Sequence, residues 1–278
     1  FMEVVIMPDT RRAVLLSARL IAEQIRRKPD STLGLATGRT MENLYSVLAG
    51  MHRDEGLDFS LCRSFNLDEY IGLPEDDPNS YRSYMNQHLF SKVNMDLRNT
   101  HLPLGNVPDL EAECENYEKR MAECGGVDLQ LLGIGRSGHI GFNEPLSSLS
   151  SRTRAKALTP TTIEQNAPLF PRPEDMPKRA ITMGVGTILE AESILMLVTG
   201  AEKAGILAKA VEGPVTAMIS ASALQLHPKC TVVVDEAAAE VVKRIFALCL
   251  DGYGPSQIAR ILKEDKVITP TIHFQQTG

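Results

Sequence analysis

The feature that most constrains this chain is a change of period, repeated along its length. Short apolar or β-branched runs give way to longer stretches in which apolar residues recur every three or four positions. Residues 3–7 read as a strand and 10–27 as a helix. Further strands are expected at 32–36, 62–67, 129–134, 193–198 and 231–234, and helices at 41–52, 79–89, 110–124, 184–191 and 201–211. Strands separated by helices pair in parallel through right-handed crossovers, so the expected class is α/β with a mostly parallel central sheet. Open sheets of this kind bind ligands outside the carboxyl ends of their strands. The polar residues just after each strand are therefore the candidates for chemistry.

Composition narrows the functional classes. With 278 residues, 43% of them hydrophobic, the chain can bury a substantial core. Its 29 basic and 35 acidic residues give a net charge of −6, which argues against a surface that binds nucleic acid by counterion release. A phosphorylated small molecule remains open, because it needs only a local cluster of donors. The longest apolar run is six residues, 245–250, against about 20 for a membrane helix. No membrane span is expected, and without a secretion signal the expected location is the cytoplasm. Five scattered cysteines with no Cys-x-x-Cys pair read as incidental thiols, with no metal site. Residues 168–177 carry four prolines in ten positions and read as a loop, either a flap over a site or a plain surface connection.

Three clusters follow strands. In the first, Thr37, Gly38, Arg39 and Thr40 lie between an apolar strand and a helix, where backbone N–H groups can hold a phosphate; threonine there can equally be a simple helix cap. In the second, Asp68 and Glu69 end a strand, and alternation turns them to opposite faces, so one can be a general base and the other structural, or both can be solvated loop acids. The third, residues 132–145, has four glycines in the nine positions 133–141 and brings His139 and Glu144 into one polar turn. A histidine beside a carboxylate suits proton transfer near neutral pH, whereas a histidine satisfied by backbone partners is the blander alternative.

The motifs GLATGRT, FNLDEYIGLP, GIGRSGHIGFNEP, SSLSSRTRAK, TMGVGTIL and LQLHPK, in this order, resemble those of glucosamine-6-phosphate deaminases across roughly residues 2–235. GHIGFNEP together with NLDEY separates the chain from the related 6-phosphogluconolactonases. The resemblance implies a Rossmann-like three-layer sandwich and a cofactor-free conversion of glucosamine 6-phosphate and water to fructose 6-phosphate and ammonia. It places the enzyme in amino sugar metabolism, among hydrolases acting on an amino sugar phosphate. It implies that Asp68 moves the C2 proton and that His139, supported by Glu144, opens the sugar ring. Thr37, Gly38, Arg39, Thr40 and Lys203 would hold the phosphate. Ser147, Ser148, Arg154 and Lys156 match an activator site between subunits, which implies a homo-oligomer, a hexamer in regulated members; a solvated face is the alternative.

Three departures qualify the resemblance. Ser137 stands before Gly138-His139 where the family has Asp or Asn. The flap lacks the arginine expected two residues after Asn166, a place that Arg172, or Arg39 from the loop itself, could fill. The chain from residue 236 departs from the family's ending and resembles the first helices of a serine recombinase DNA-binding domain, although its five basic and five acidic residues make no basic face. It is expected to be a helical appendage, residues 236–278, after a catalytic domain of residues 2–235. There a helix over 236–251 is followed by a second over 256–263 capped by Ser256. Arg39, Ser137 and the missing arginine keep two alternatives open: turnover of another phosphosugar such as galactosamine 6-phosphate, and a sugar-phosphate-binding protein with impaired turnover.

Overall fold

The structure, a computed structural model, describes residues 2–265. The first half contains β1 (Met2–Met7), α1 (Thr10–Arg27), β2 (Thr32–Leu35), α2 (Arg39–Glu55), β3 (Arg63–Asn66), β4 (Asp68–Tyr70), α3 (Tyr81–His88), β5 (Thr100–His101) and α4 (Leu110–Glu123). The second contains β6 (Leu129–Leu132), β7 (Arg154–Ala157), α5 (Pro160–Asn166), β8 (Arg179–Thr182), α6 (Val185–Leu189), β9 (Ser193–Val198), α7 (Ala204–Glu212), β10 (Cys230–Asp235), α8 (Glu236–Leu250) and α9 (Pro255–Glu264). Among these residues no helix is long and apolar enough to cross a membrane.

Seven strands form the main sheet in the order β1-β10-β9-β6-β2-β3-β5, every pair parallel. Every residue of β2 and β6 is buried, as expected of central strands covered by helices on both faces. Helix α1 buries Ala13, Val14, Ala18, Ile21, Ala22 and Ile25, at the three- and four-residue spacing that its sequence shows. The one large apolar core runs from these residues through the strands to Ala238, Ala239 and Val242 of α8.

A second sheet was not foreseen. Strands β4, β8 and β7 pair antiparallel, with Asp68 opposite Thr182 and Thr182 opposite Arg154. It carries its own cluster of Tyr70, Phe142, Leu158, Phe170, Met176 and Ala180, so the proline-rich segment packs down through Phe170 and Met176. That segment is two short 3-10 turns, Ala167–Leu169 and Pro173–Asp175.

The expected boundary after Asp235 does not coincide with a break in packing, because α8 fills part of the main core. Only the end of α8 and α9 stand apart, sharing a small cluster of Leu248, Ile258 and Leu262. Helix α9 starts at Pro255 rather than Ser256. Its N-cap is Gly254, whose N–H donates to Gln257 Oε1 at 2.9 Å, so the expected Ser256 cap is corrected. The end of the appendage, 266–278, lies outside the described residues.

Candidate active site

In the main sheet the strand order departs in both directions from the neighbours β2 and β6, which makes their carboxyl ends the topological switch point. The loops leaving these strands hold residues 37–40 and 133–145. Gly38 caps α2 at φ 119°, a left-handed value that favours glycine, and no side chain caps the helix. The Met41 N–H turns back to Gly38 O at 3.0 Å, and the N–H groups of Arg39 and Thr40 have no partner among the described residues, the arrangement that accepts an anion. Arg39 is exposed and forms no ion pair among the described residues. Lys203 follows β9, and its Nζ donates to Ile134 O at 2.9 Å, at the mouth of the glycine-rich loop. Burial pulls its pKa down, Glu202 opposes, and Arg136 adds to the fall.

Asp68 and Glu69 are adjacent and both buried, but their surroundings are opposite. Glu69 accepts backbone N–H bonds from Tyr70 at 2.8 Å, Tyr81 at 2.9 Å and Arg82 at 2.9 Å, so it pins the start of α3. Burial raises its pKa and these bonds pull it back. Asp68 has no hydrogen-bond or ion-pair partner among the described residues; burial first, and the Glu69 charge second, push its pKa up to about 8. A buried carboxyl without a partner is costly for a fold and is common where proton transfer is needed.

The glycine-rich loop is shaped around His139. Its ring lies on Gly135 so closely that a Cβ there would come within 2.2 Å of Nε2, and Gly138 and Gly141 both have positive φ. A Cβ on Gly141 would fall 2.8 Å from Thr182 Oγ1 and 3.8 Å from Asp68 Oδ2, which places this loop against the candidate base. His139 Nδ1 is 2.7 Å from Ser137 Oγ. Burial lowers the histidine's pKa, with Glu144 opposing and Lys203 adding to the fall. The hydrogen-bond partner of the ring is thus Ser137, and Glu144 acts on it only through charge. The Glu144 carboxylate is used elsewhere, accepting from Thr159 N–H at 3.1 Å and from the Thr162 hydroxyl, both at the start of α5.

Other expected residues lie apart from this group or are engaged. Arg172 is exposed and paired with Asp175 at 2.8 Å. Arg154 donates to Asn143 Oδ1 at 2.8 Å, and burial lowers its pKa. Ser148 and Ser150 hydroxyls are 3.0 Å apart, the buried Ser147 hydroxyl has no partner among the described residues, and Lys156 is half-buried on β7. Sequence reasoning missed Thr182, Thr159, Thr162, Tyr81 and the helix start that Glu69 holds. The Asn79-Ser80 cap before α3 was a usable signal for the last two; nothing in the sequence marks Thr182, which reaches the loop only through sheet pairing.

The family model described as glucosamine-6-phosphate isomerases/6-phosphogluconolactonase matches residues 10–246. The chain belongs to this family. A Shewanella loihica protein named glucosamine-6-phosphate deaminase is 50% identical over 238 residues, 86% of this chain and 89% of that one. One from a Geobacillus species with the same name is 50% identical over 226 residues, 81% of this chain and 90% of that one. A solved structure of a monomeric glucosamine-6-phosphate deaminase superposes with a TM-score of 0.84 at 45% identity, covering 86% of this chain and 99% of that one. The 6-phosphogluconolactonase of Trypanosoma cruzi, at 20% identity and a TM-score of 0.68, shares the fold.

Membership in the glucosamine-6-phosphate isomerase family corrects one expectation. The class of hydrolase does not hold: the relatives are named glucosamine-6-phosphate deaminases, and the family model groups them with glucosamine-6-phosphate isomerases. The family match also runs to residue 246, through much of the α8 segment that resembles a recombinase helix, so that stretch falls inside the family's own span.

Proposed function

We propose that this protein converts glucosamine 6-phosphate and water to fructose 6-phosphate and ammonia. The observation that carries the reading is the buried Asp68 carboxylate, partnerless among the described residues and held against Gly141 of the loop that leaves β6 at the switch point. The substrate phosphate would lie on the N–H groups opening α2, with Thr37, Gly38, Thr40 and Lys203 around it. Arg39, with no ion pair, is better placed than Arg172 to add a guanidinium, because Arg172 is held by Asp175.

In this reading His139, kept neutral near pH 7 by burial, moves a proton from the C1 hydroxyl to the ring oxygen as the C1–O bond breaks. Ser137 orients the ring. The Asp68 carboxylate then takes the C2 proton and returns it to C1 while a second proton passes from the amine to O1, leaving an imine at C2; water adds there and ammonia departs. Asp68 must be ionised to start, and the substrate's cationic amine would favour that form once bound. Glu144 supports His139 by charge while it fixes α5.

Arg39 favours one second reading, preference for a different amino sugar phosphate. Ammonia release from glucosamine and galactosamine 6-phosphates, compared at equal concentration, decides between them. Faster release from glucosamine 6-phosphate supports the primary reading, and the reverse ratio transfers it to the second. The activator cluster and hexamer are a separate proposal, for which Arg154 offers a route to the loop through Asn143. Hyperbolic kinetics unchanged by N-acetylglucosamine 6-phosphate, together with a monomer mass in solution, would remove it.

A further inference from the structure

Two tyrosine hydroxyls converge on the loop that opens α2, one from within that helix and one from α3. Tyr45, fully buried on α2, engages both polar backbone groups of Ala36: its Oη accepts from the Ala36 N–H at 3.2 Å and donates to the Ala36 carbonyl. Tyr84 reaches across from α3, and its Oη donates to the Gly38 carbonyl at 2.7 Å.

A carbonyl shares one rigid plane with the N–H of the next residue, and in a trans peptide the two point in opposite directions. Holding the Ala36 oxygen therefore aims the Thr37 N–H, and holding the Gly38 oxygen aims the Arg39 N–H. Neither N–H has a partner among the described residues. Both are turned away from the tyrosines that hold their planes.

The restraint matters most at Gly38. Its φ of 119° and ψ of 165° lie in a region open almost only to glycine, and no side chain caps the helix there. Helix α2 itself holds the Gly38 oxygen through the Met41 N–H at 3.0 Å and the Glu42 N–H at 3.3 Å. The Tyr84 bond is shorter than either and comes from outside the helix. Ala36 lies just past the end of β2, and Tyr45 supplies there the donor and the acceptor that a strand neighbour would supply.

Helix α3 is itself anchored. Glu69 accepts the N–H groups of Tyr81 and Arg82, and the Arg82 guanidinium donates to Thr100 Oγ1 at 2.8 Å and to Thr100 O at 3.0 Å. Tyr84, three residues after Tyr81, is thus carried to Gly38 by a helix whose start is pinned beside Asp68.

We infer that Tyr45 and Tyr84 are positioning residues that aim the Thr37 and Arg39 N–H groups at the substrate phosphate. The inference rests on the proposed phosphate site and not on turnover.

Amide NMR of the full chain, titrated with inorganic phosphate, tests it. In the parent protein the Thr37 and Arg39 amide protons should move downfield as phosphate accepts from them. Tyr84→Phe keeps the ring that packs on His88 and loses the hydroxyl. It should weaken phosphate binding about fivefold, the scale of one hydrogen bond. At saturation the Arg39 displacement should shrink while that of Thr37 persists, and Tyr45→Phe should shrink the Thr37 displacement while that of Arg39 persists. With glucosamine 6-phosphate, Tyr84→Phe should raise KM about fivefold and lower kcat less than about twofold, a split that general loosening of the fold would not give. Tyr84 is only half-buried, so its variant carries the test should Tyr45→Phe not fold. Affinity and displacements unchanged in Tyr84→Phe, equal loss of both displacements in it, or no phosphate-induced displacement in the parent protein would each overturn the inference. A parent protein that shows both displacements, lost as described in the variants, but releases no ammonia from glucosamine 6-phosphate would defeat the deaminase reading and leave this inference standing. Ammonia release from the parent, with Tyr84→Phe indistinguishable from it, would do the reverse.

Discussion

The two sheets divide the labour of this molecule. The seven-stranded parallel sheet is a frame: its central strands are buried on both faces and it brings two loops to one switch point. The three-stranded antiparallel sheet is small and built from chain segments far apart, yet Asp68, Tyr70 and Thr182 all lie on it. The contrast is sharpest at Asp68 and Glu69, where β4 begins. Glu69 turns to the start of α3 and is satisfied by three backbone N–H groups, whereas the Asp68 carboxylate is buried with no partner among the described residues. On the proposed function, one carboxylate serves stability and its neighbour reactivity.

The largest expected effect breaks the reactive side. Asp68→Asn should lower kcat by about 10⁴-fold, the upper range for a general base, while KM stays within about tenfold. The same variant should be more stable than the parent, increasingly so as pH rises. The folded-state pKa of Asp68 is raised, so the native state holds a proton that the unfolded chain releases above about pH 4, and stability falls between there and about pH 8. Melting curves at pH 5 and pH 9 check this: the gain in Tm from Asn should be larger at pH 9, and an equal gain at both would show that Asp68 is not strained.

His139→Gln should cost less, about 10²-fold in kcat, because ring opening also proceeds in water. The deficit should shrink on an open-chain analogue. A variant as inactive as Asp68→Asn on both substrates would reassign the harder proton transfer to the histidine.

How far these roles were legible follows the same division. The parallel frame was readable because its strands and helices are long enough to show their periods: 10–27 and 193–198 appear where expected. The antiparallel sheet was not, because β4 has three residues and β7 and β8 four each, too short for alternation to register. Asp68 and His139 stood out by chemistry and position after strands. The partner of His139 did not: Glu144 is near in sequence, but the strained turn through Gly138 delivers Ser137 to Nδ1 and leaves Glu144 to α5.

Smaller effects test the frame. Glu69→Ala would strand the N–H groups of Tyr81 and Arg82 at the start of α3 and that of Tyr70 on β4, and should cost about 1–3 kcal/mol in urea unfolding. A loss below about 0.5 kcal/mol, the level of an ordinary surface change, would deny Glu69 its structural task. Smallest of all, Arg172→Ala should change KM by less than about threefold, since its partner is a surface carboxylate and exposed pairs of this kind contribute little. A tenfold rise in KM would instead bring the flap arginine into the phosphate site in place of Arg39.

The most direct test of the central claim is product stoichiometry from the purified full chain, with the Asp68→Asn protein as its control. The account predicts ammonia and fructose 6-phosphate from glucosamine 6-phosphate in equal amounts, formed about 10⁴-fold more slowly by the control. No ammonia from the parent protein, or equal amounts from both proteins, would contradict it.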